Sequence, residues 1–196
     1  MNKILLALLC LNTSLSIAEI GKVEEVGKTP TEAVFTAGGK LRLSLCSGAA
    51  EIQGTDENKI RVSYSSPHES TSHVRVKVVT SQSQAEISVA NCPHNSFQIK
   101  IEVPKSSHLW VRMFAGDFEM HDVVGDKDVE MHAGQLTMHI GQPADYAHVD
   151  GSVTSGGLEA PPFSISKGGL FRSFRKLGPG KYRLHAHVGA GELDIL

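Results

Sequence analysis

One pattern constrains this chain more than any other: alternating apolar residues, a glycine, then alternation again. It is carried by LRLSLCSGAAEI, LWVRMFAGDFEM, KDVEMHAGQLTM, VDGSVTSGGLEA and LHAHVGAGELDI, centred on Gly48, Gly116, Gly134, Gly156 and Gly191. Gly116, Gly134 and Gly156 stand 18 and 22 residues apart. Alternation with one apolar side marks strands packed on one face. A copy of about twenty residues cannot bury its face alone, so copies must stack. The pattern predicts an all-β, single-domain β-solenoid (β-helix-like) of glycine-marked rungs. The glycines fall where the strand turns a corner, at positive φ or a close backbone approach.

Aligning the copies on their glycines assigns both faces. Inward rows contain Leu41, Leu43, Leu45 and Ile52, then Leu109, Val111, Met113, Phe118 and Met120. Val129, Met131, Leu136, Met138 and Ile140 follow, then Val149, Val153 and Leu158, and last Leu184, Ala186, Val188, Leu193 and Ile195. Each such side chain stabilises by about 1.5–3 kcal/mol when fully buried, so stacking decides the fold. Outward, Glu51, Glu119, Thr137, Glu159 and Asp194 fall in one row. His121 and His139 share a second row; Arg112, Glu130, Ser152 and His187 share a third. Between the first copy and the second, further alternating stretches around Val62, Val76, Ile87 and Ile101 read as strands, separated by polar turns.

Residues 161–180, PPFSISKGGLFRSFRKLGPG, interrupt the repeat. They hold Lys167, Arg172, Arg175 and Lys176 and no acid. Leu170, Phe171, Phe174 and Leu177 are spaced to line one side of a short helix. The segment is either a cap over the flank of the stack or an interaction surface built from Phe171, Arg172, Phe174, Arg175 and Lys176. Exposed strand edges aggregate unless covered, which favours the cap.

Residues 1–18, MNKILLALLCLNTSLSIA, have the form of a secretory signal peptide: Lys3, a short apolar run, and a small-x-small site ending at Ala18. The apolar run is too short to span a bilayer. Residues 19–196 are then the exported domain, periplasmic or extracellular, with no transmembrane segment. Of the cysteines, Cys46 and Cys92 lie in that domain. In an oxidising compartment they form a disulfide, or else stay as two buried thiols. A formal net charge of −2 gives no reason to expect nucleic acid as a partner.

The chain resembles the bacterial putative-adhesin domain family, exported β-solenoid proteins. The resemblance rests on FTAGGKLRLSLCSGAAEIQGTDENKIRV, on IEVPKSSHLWVRMFAGDFEM, on the glycine-marked copies and on the ending KYRLHAHVGAGELDIL. It covers most of residues 19–196. It implies a non-catalytic, adhesin-like or envelope-associated scaffold whose partner is an envelope glycan or protein. It brings no catalytic residues and no cofactor.

Two other functional classes remain open to residue-level reading. Outward Glu119, Glu159 and Asp194 are acids of the kind a polysaccharide-acting β-helix enzyme uses. Against this, alternating polar residues are what solubility requires outside a strand, and no nucleophile elbow or phosphate loop is present. Histidines offer the third class, a periplasmic metal-binding protein. His185 and His187 share a strand face, and His121 and His139 stack in register, but no carboxylate is obviously spaced to complete a site.

Overall fold

The computed structural model describes residues 22–26, 30–81, 83–94 and 96–196. The expected signal peptide, 1–18, lies outside them. The strands are β1 (Lys22–Val26), β2 (Thr31–Val34), β3 (Gly39–Leu45), β4 (Gly48–Thr55), β5 (Lys59–Ser65), β6 (Arg75–Ser81), β7 (Gln84–Ala90) and β8 (Gln98–Pro104). Five longer ones follow: β9 (Ser107–His121), β10 (Lys127–Met138), β11 (Tyr146–Ala160), β12 (Ile165–Leu177) and β13 (Tyr182–Ile195). The protein is all-β: all thirteen strands join one open sheet. No helix among the described residues is long and apolar enough to cross a membrane.

Strands β9, β10, β13 and β11 run parallel, in that spatial order, with Gly116, Gly134, Gly191 and Gly156 side by side. Gly48 extends the line on the other side of Gly116. All five have positive φ, between 120° and 141°. A Cβ on Gly116 would run into the Gly48 carbonyl oxygen, one on Gly134 into that of Gly116, and one on Gly191 into that of Gly134. Glycine is therefore required twice over, by conformation and by space. Each chain changes direction at this line, so the sheet has two limbs whose inner residues form one core cluster.

The inward rows match the glycine alignment residue for residue. Leu43, Val111, Val129, Ala186 and Gly151 lie in one row, and Ala50, Phe118, Leu136, Leu193 and Leu158 in another. The first row shrinks toward β11, and the space is filled from the next strand. Phe174 of β12 pairs with Gly151 and is buried there, its ring where a Gly151 side chain would go.

Two features depart from the sequence reading. Spatial order is not chain order: β13 enters between β10 and β11, separating consecutive copies. Residues 165–177 are a strand, not a helix; β12 lies antiparallel along β11. An unpaired β11 edge offers twelve residues of backbone partners in register, which outweighs the helical spacing of the Phe and Leu residues.

Beyond β9 the other way, the limbs separate. The first limb continues through β3, β7, β6 and β1, the second through β4, β8, β5 and β2. Cys46, between β3 and β4, is bonded to Cys92, between β7 and β8, with Cα atoms 6.4 Å apart. Phe97 ends the glycine line there: its carbonyl accepts the Ala49 N–H at 2.8 Å, and its backbone faces Gly48.

One core position is anomalous. Lys127 occupies the inward row between Leu109 and Leu184 and is 1% exposed. Its Nζ donates to Tyr146 Oη at 2.6 Å and to the Gly125 carbonyl at 3.1 Å. Burial lowers the Lys127 ammonium to about 8 and raises the Tyr146 phenol.

Candidate functional site

Because the strands are in register, outward side chains form rows across the sheet at steps of about 4.8 Å. On the first limb one row runs Glu86, Arg42, Trp110, Asp128, His185, Asp150, Arg175. Its neighbour runs Ser88, Ser44, Arg112, Glu130, His187, Ser152, Ser173. The second limb carries Glu51, Glu119, Thr137, Asp194 and Glu159, in that order. The second and third of these contain the rows the glycine alignment groups together, with the positions of β11 and β13 exchanged; the Trp110 row is new.

The two first-limb rows are joined by contacts. Arg42 and Arg112 hold their guanidinium carbons 4.4 Å and 4.0 Å from the Trp110 ring centroid. Arg112 pairs with Asp128 at 2.8 Å and with Glu130 at 3.0 Å. Asp128 Oδ1, shut off from solvent, has that ion pair but accepts no well-aligned hydrogen bond. His185 lies 2.5 Å from Asp150 and 3.7 Å from Glu130, and His187 lies 2.8 Å from the Ser152 hydroxyl. Half-exposed pairs of this kind contribute about 0–1 kcal/mol each, so their main effect is to hold the side chains in place.

Trp110 also lines an open groove of about 600 Å³ with Arg42, Glu86, His108 and Asp126. With two guanidiniums over its ring, Trp110 anchors a patch whose cations, carboxylates and imidazole can hydrogen-bond a polar ligand. Sequence reading passed over Trp110. The alternation places it outward, and a bulky outward aromatic was the available signal. A second open concavity, about 720 Å³, lies on the other limb beside Tyr64, Glu51, Lys100, Asp117 and Glu119. Lys100 pairs with Glu51 there at 2.7 Å.

The set proposed for residues 161–180 is divided by the fold. Phe174 is in the core, whereas Phe171 is 79% exposed and Arg172, Arg175 and Lys176 are exposed beside it. β12 is the last strand of the sheet on this side. Two of its cations bond its own backbone: Lys167 Nζ to the Ser173 carbonyl at 2.7 Å and Arg172 Nε to the Gly168 carbonyl at 2.8 Å. Such cations blunt an edge against further strand pairing.

The histidines do acquire the carboxylates that spacing along the chain did not supply. Glu119, His121 and His139 converge, as do Asp128, Glu130 and His185. His121 and His139 stack with ring centroids 4.3 Å apart. Glu119 and His121 are two apart on β9, and His139 directly follows β10, beside His121 in register.

No protein-family model matches the chain, and no curated protein matches it in sequence. Among solved structures it is similar to a putative cell adhesion protein from Clostridium sporogenes: TM-score 0.53, 16% identity, 85% of this chain and 98% of the other. At that identity the likeness shows the fold. A putative adhesin from Bacteroides fragilis matches with TM-score 0.28 and 6% identity over 89% of this chain and 97% of the other.

Proposed function

We propose that this chain is an exported, non-catalytic, adhesin-like or envelope-associated scaffold. In this reading it is a β-solenoid whose stacked outer faces hold an extended partner, an envelope glycan or protein. The observation that carries the proposal is the pair of in-register outward rows around Trp110. A polymer lying across the strands would meet a new charged or aromatic group at each step of about 4.8 Å. The similar fold of the Clostridium sporogenes protein, a putative cell adhesion protein, is consistent with it. The exposed edge carrying Phe171, Arg172, Arg175 and Lys176 is a second surface for the same partner.

The arrangement of acids argues against the glycan-cleaving alternative. Glycosidases place two carboxyls on opposite sides of the scissile bond, about 5–9.5 Å apart across a cleft. Here Glu159 already accepts a hydrogen bond from Ser166 Oγ at 2.7 Å, and Glu119 is engaged by His121 and His139.

Co-sedimentation with peptidoglycan and with acidic polysaccharides, followed by sizing of the polymer, tests the proposal. Expected is retention without shortening, weakened at least tenfold in Trp110→Ala. A shortened polymer would move the protein to the enzyme class, and retention unchanged in Trp110→Ala would remove the first-limb face from the proposal. Cell fractionation tests export: recovery in the cytoplasm alone contradicts it.

A further inference from the structure

We infer that Glu119, His121 and His139 form a surface binding site for one divalent transition-metal ion, of the Zn(II) or Cu(II) class. Imidazole and carboxylate are the donors such borderline ions favour. His121 Nε2 lies 3.0 Å and His139 Nε2 3.5 Å from the same Glu119 oxygen. A tetrahedral centre with bonds of about 2.0–2.1 Å holds its ligand atoms about 3.3–3.4 Å apart. Two of the three donor separations, those to the Glu119 oxygen, are thus already close to the edges of such a centre. All three lie within 4.8 Å of one another, so binding requires side-chain adjustment only.

The convergence comes from the backbone. Met120 and Met138 are register partners on β9 and β10, which sets the next residues, His121 and His139, side by side. Their rings stack at an interplanar angle of 18° with both Nε2 atoms beside one Glu119 oxygen, so sharing an ion requires the two rings to tilt toward each other. A divalent ion takes the Nε2 lone pairs of two neutral imidazoles, and the Glu119 carboxylate offsets part of its charge.

Comparison with the second cluster shows why the site is placed here. Asp128 and Glu130 are both engaged by the Arg112 guanidinium, whose positive charge opposes a cation at His185. Among the described residues, Glu119 pairs with no lysine or arginine; its ion-pair partners are the two imidazoles. The three side chains are 30–53% exposed, which leaves the remaining coordination position open to water or to a ligand from a partner.

Calorimetric titration of tag-free protein with Zn(II), and Cu(II) titration followed by electron paramagnetic resonance, tests the site. Expected is one saturable equivalent, with nitrogen coordination in the copper spectrum and release on acidification to pH 5. His121→Ala and His139→Ala should each weaken binding by about 100-fold or more, since even losing an outer hydrogen-bond partner costs about 10–100-fold. Glu119→Gln should weaken it less, and His185→Ala should leave it unchanged. Thermal melts of the metal-free variants, expected to match wild type because the side chains face outward, separate loss of a ligand from loss of the fold. Absence of saturable binding overturns the inference. So does binding that survives both His121→Ala and His139→Ala, or that His185→Ala abolishes.

Discussion

The two ends of the parallel stack are finished differently. At the β11 end an antiparallel strand pairs with the last parallel strand, and one aromatic ring, Phe174, occupies the place vacated at Gly151. At the β3–β4 end the limbs part, and a covalent bond between Cys46 and Cys92 ties the corners together. One end is closed by packing and edge charge, the other by a cross-link and the Phe97 backbone. The middle needs neither device, because each glycine lies against the next and each inward row continues on both sides. Internal strands of the sheet are supported by neighbours on both sides, and each end of the parallel array needs a specific closure.

The largest effect is expected in the middle of the parallel strands. Gly134 has stacked glycines on both sides, so Gly134→Ala combines a forbidden φ with a collision against the Gly116 backbone. The expected loss is about 4 kcal/mol or more, read as failure to fold or a large drop in denaturation midpoint. Gly141→Ala serves as its control, with positive φ but open space around it, and should cost only about 1–2 kcal/mol.

The packed end is next. Phe174→Ala should cost about 3–5 kcal/mol, as for a buried aromatic. Phe171→Ala, on the same strand but exposed, should stay within about 0.5 kcal/mol. Equal effects from the two would mean that β12 does not close the sheet. At the cross-linked end, replacing Cys46 and Cys92 by serine should cost about 2–4 kcal/mol for a loop of 46 residues. Hydrogen exchange in that variant should rise first in β7 and β8 and last in β10 and β13.

Lys127 sharpens the comparison from the middle of the stack, where an apolar residue would serve. Its folded-state value, about 8, lies below the ordinary 10.5. Between those pH values the unfolded chain holds a proton that the folded protein has released, so this contribution to stability rises with pH. Above about pH 10 the sign reverses. The Tyr146 phenol, held up by burial, stays protonated in the folded protein while it ionises in the unfolded chain. The pair should therefore place a local stability maximum near pH 10. Lys127→Met should stabilise by about 1–3 kcal/mol at pH 7 by removing the desolvated charge, and by less at pH 9. A gain independent of pH would contradict the buried-ammonium account.

How much could be read without coordinates follows from where the information sits. Both faces of each rung are encoded locally, by alternation around a glycine. The register of Val111 with Val129, and of Glu119 with Thr137, follows once the glycines are aligned. Spatial order is not local: every copy presents the same pattern, so nothing in the sequence of β10 prefers β13 over β11. What buries Lys127 is not local either: its partner Tyr146 lies 19 residues further on. The third donor for His121 and His139 was within reach, since Glu119 is two residues from His121 on an outward face. It was missed because the alignment assigns Glu119 to a neighbouring row and does not show diagonal contacts.

The strand order is the claim on which the rest depends, and cross-linking addresses it directly. Pairs of cysteines would be introduced as Thr137→Cys with Asp194→Cys, Asp194→Cys with Glu159→Cys, and Thr137→Cys with Glu159→Cys. A thiol reagent spanning less than about 8 Å should bridge neighbours about 4.8 Å apart but not strands at twice that spacing. Mass spectrometry should then find the 137–194 and 194–159 bridges and no 137–159 bridge. Efficient bridging of 137 to 159 would put β11 directly beside β10 and contradict the order of the stack.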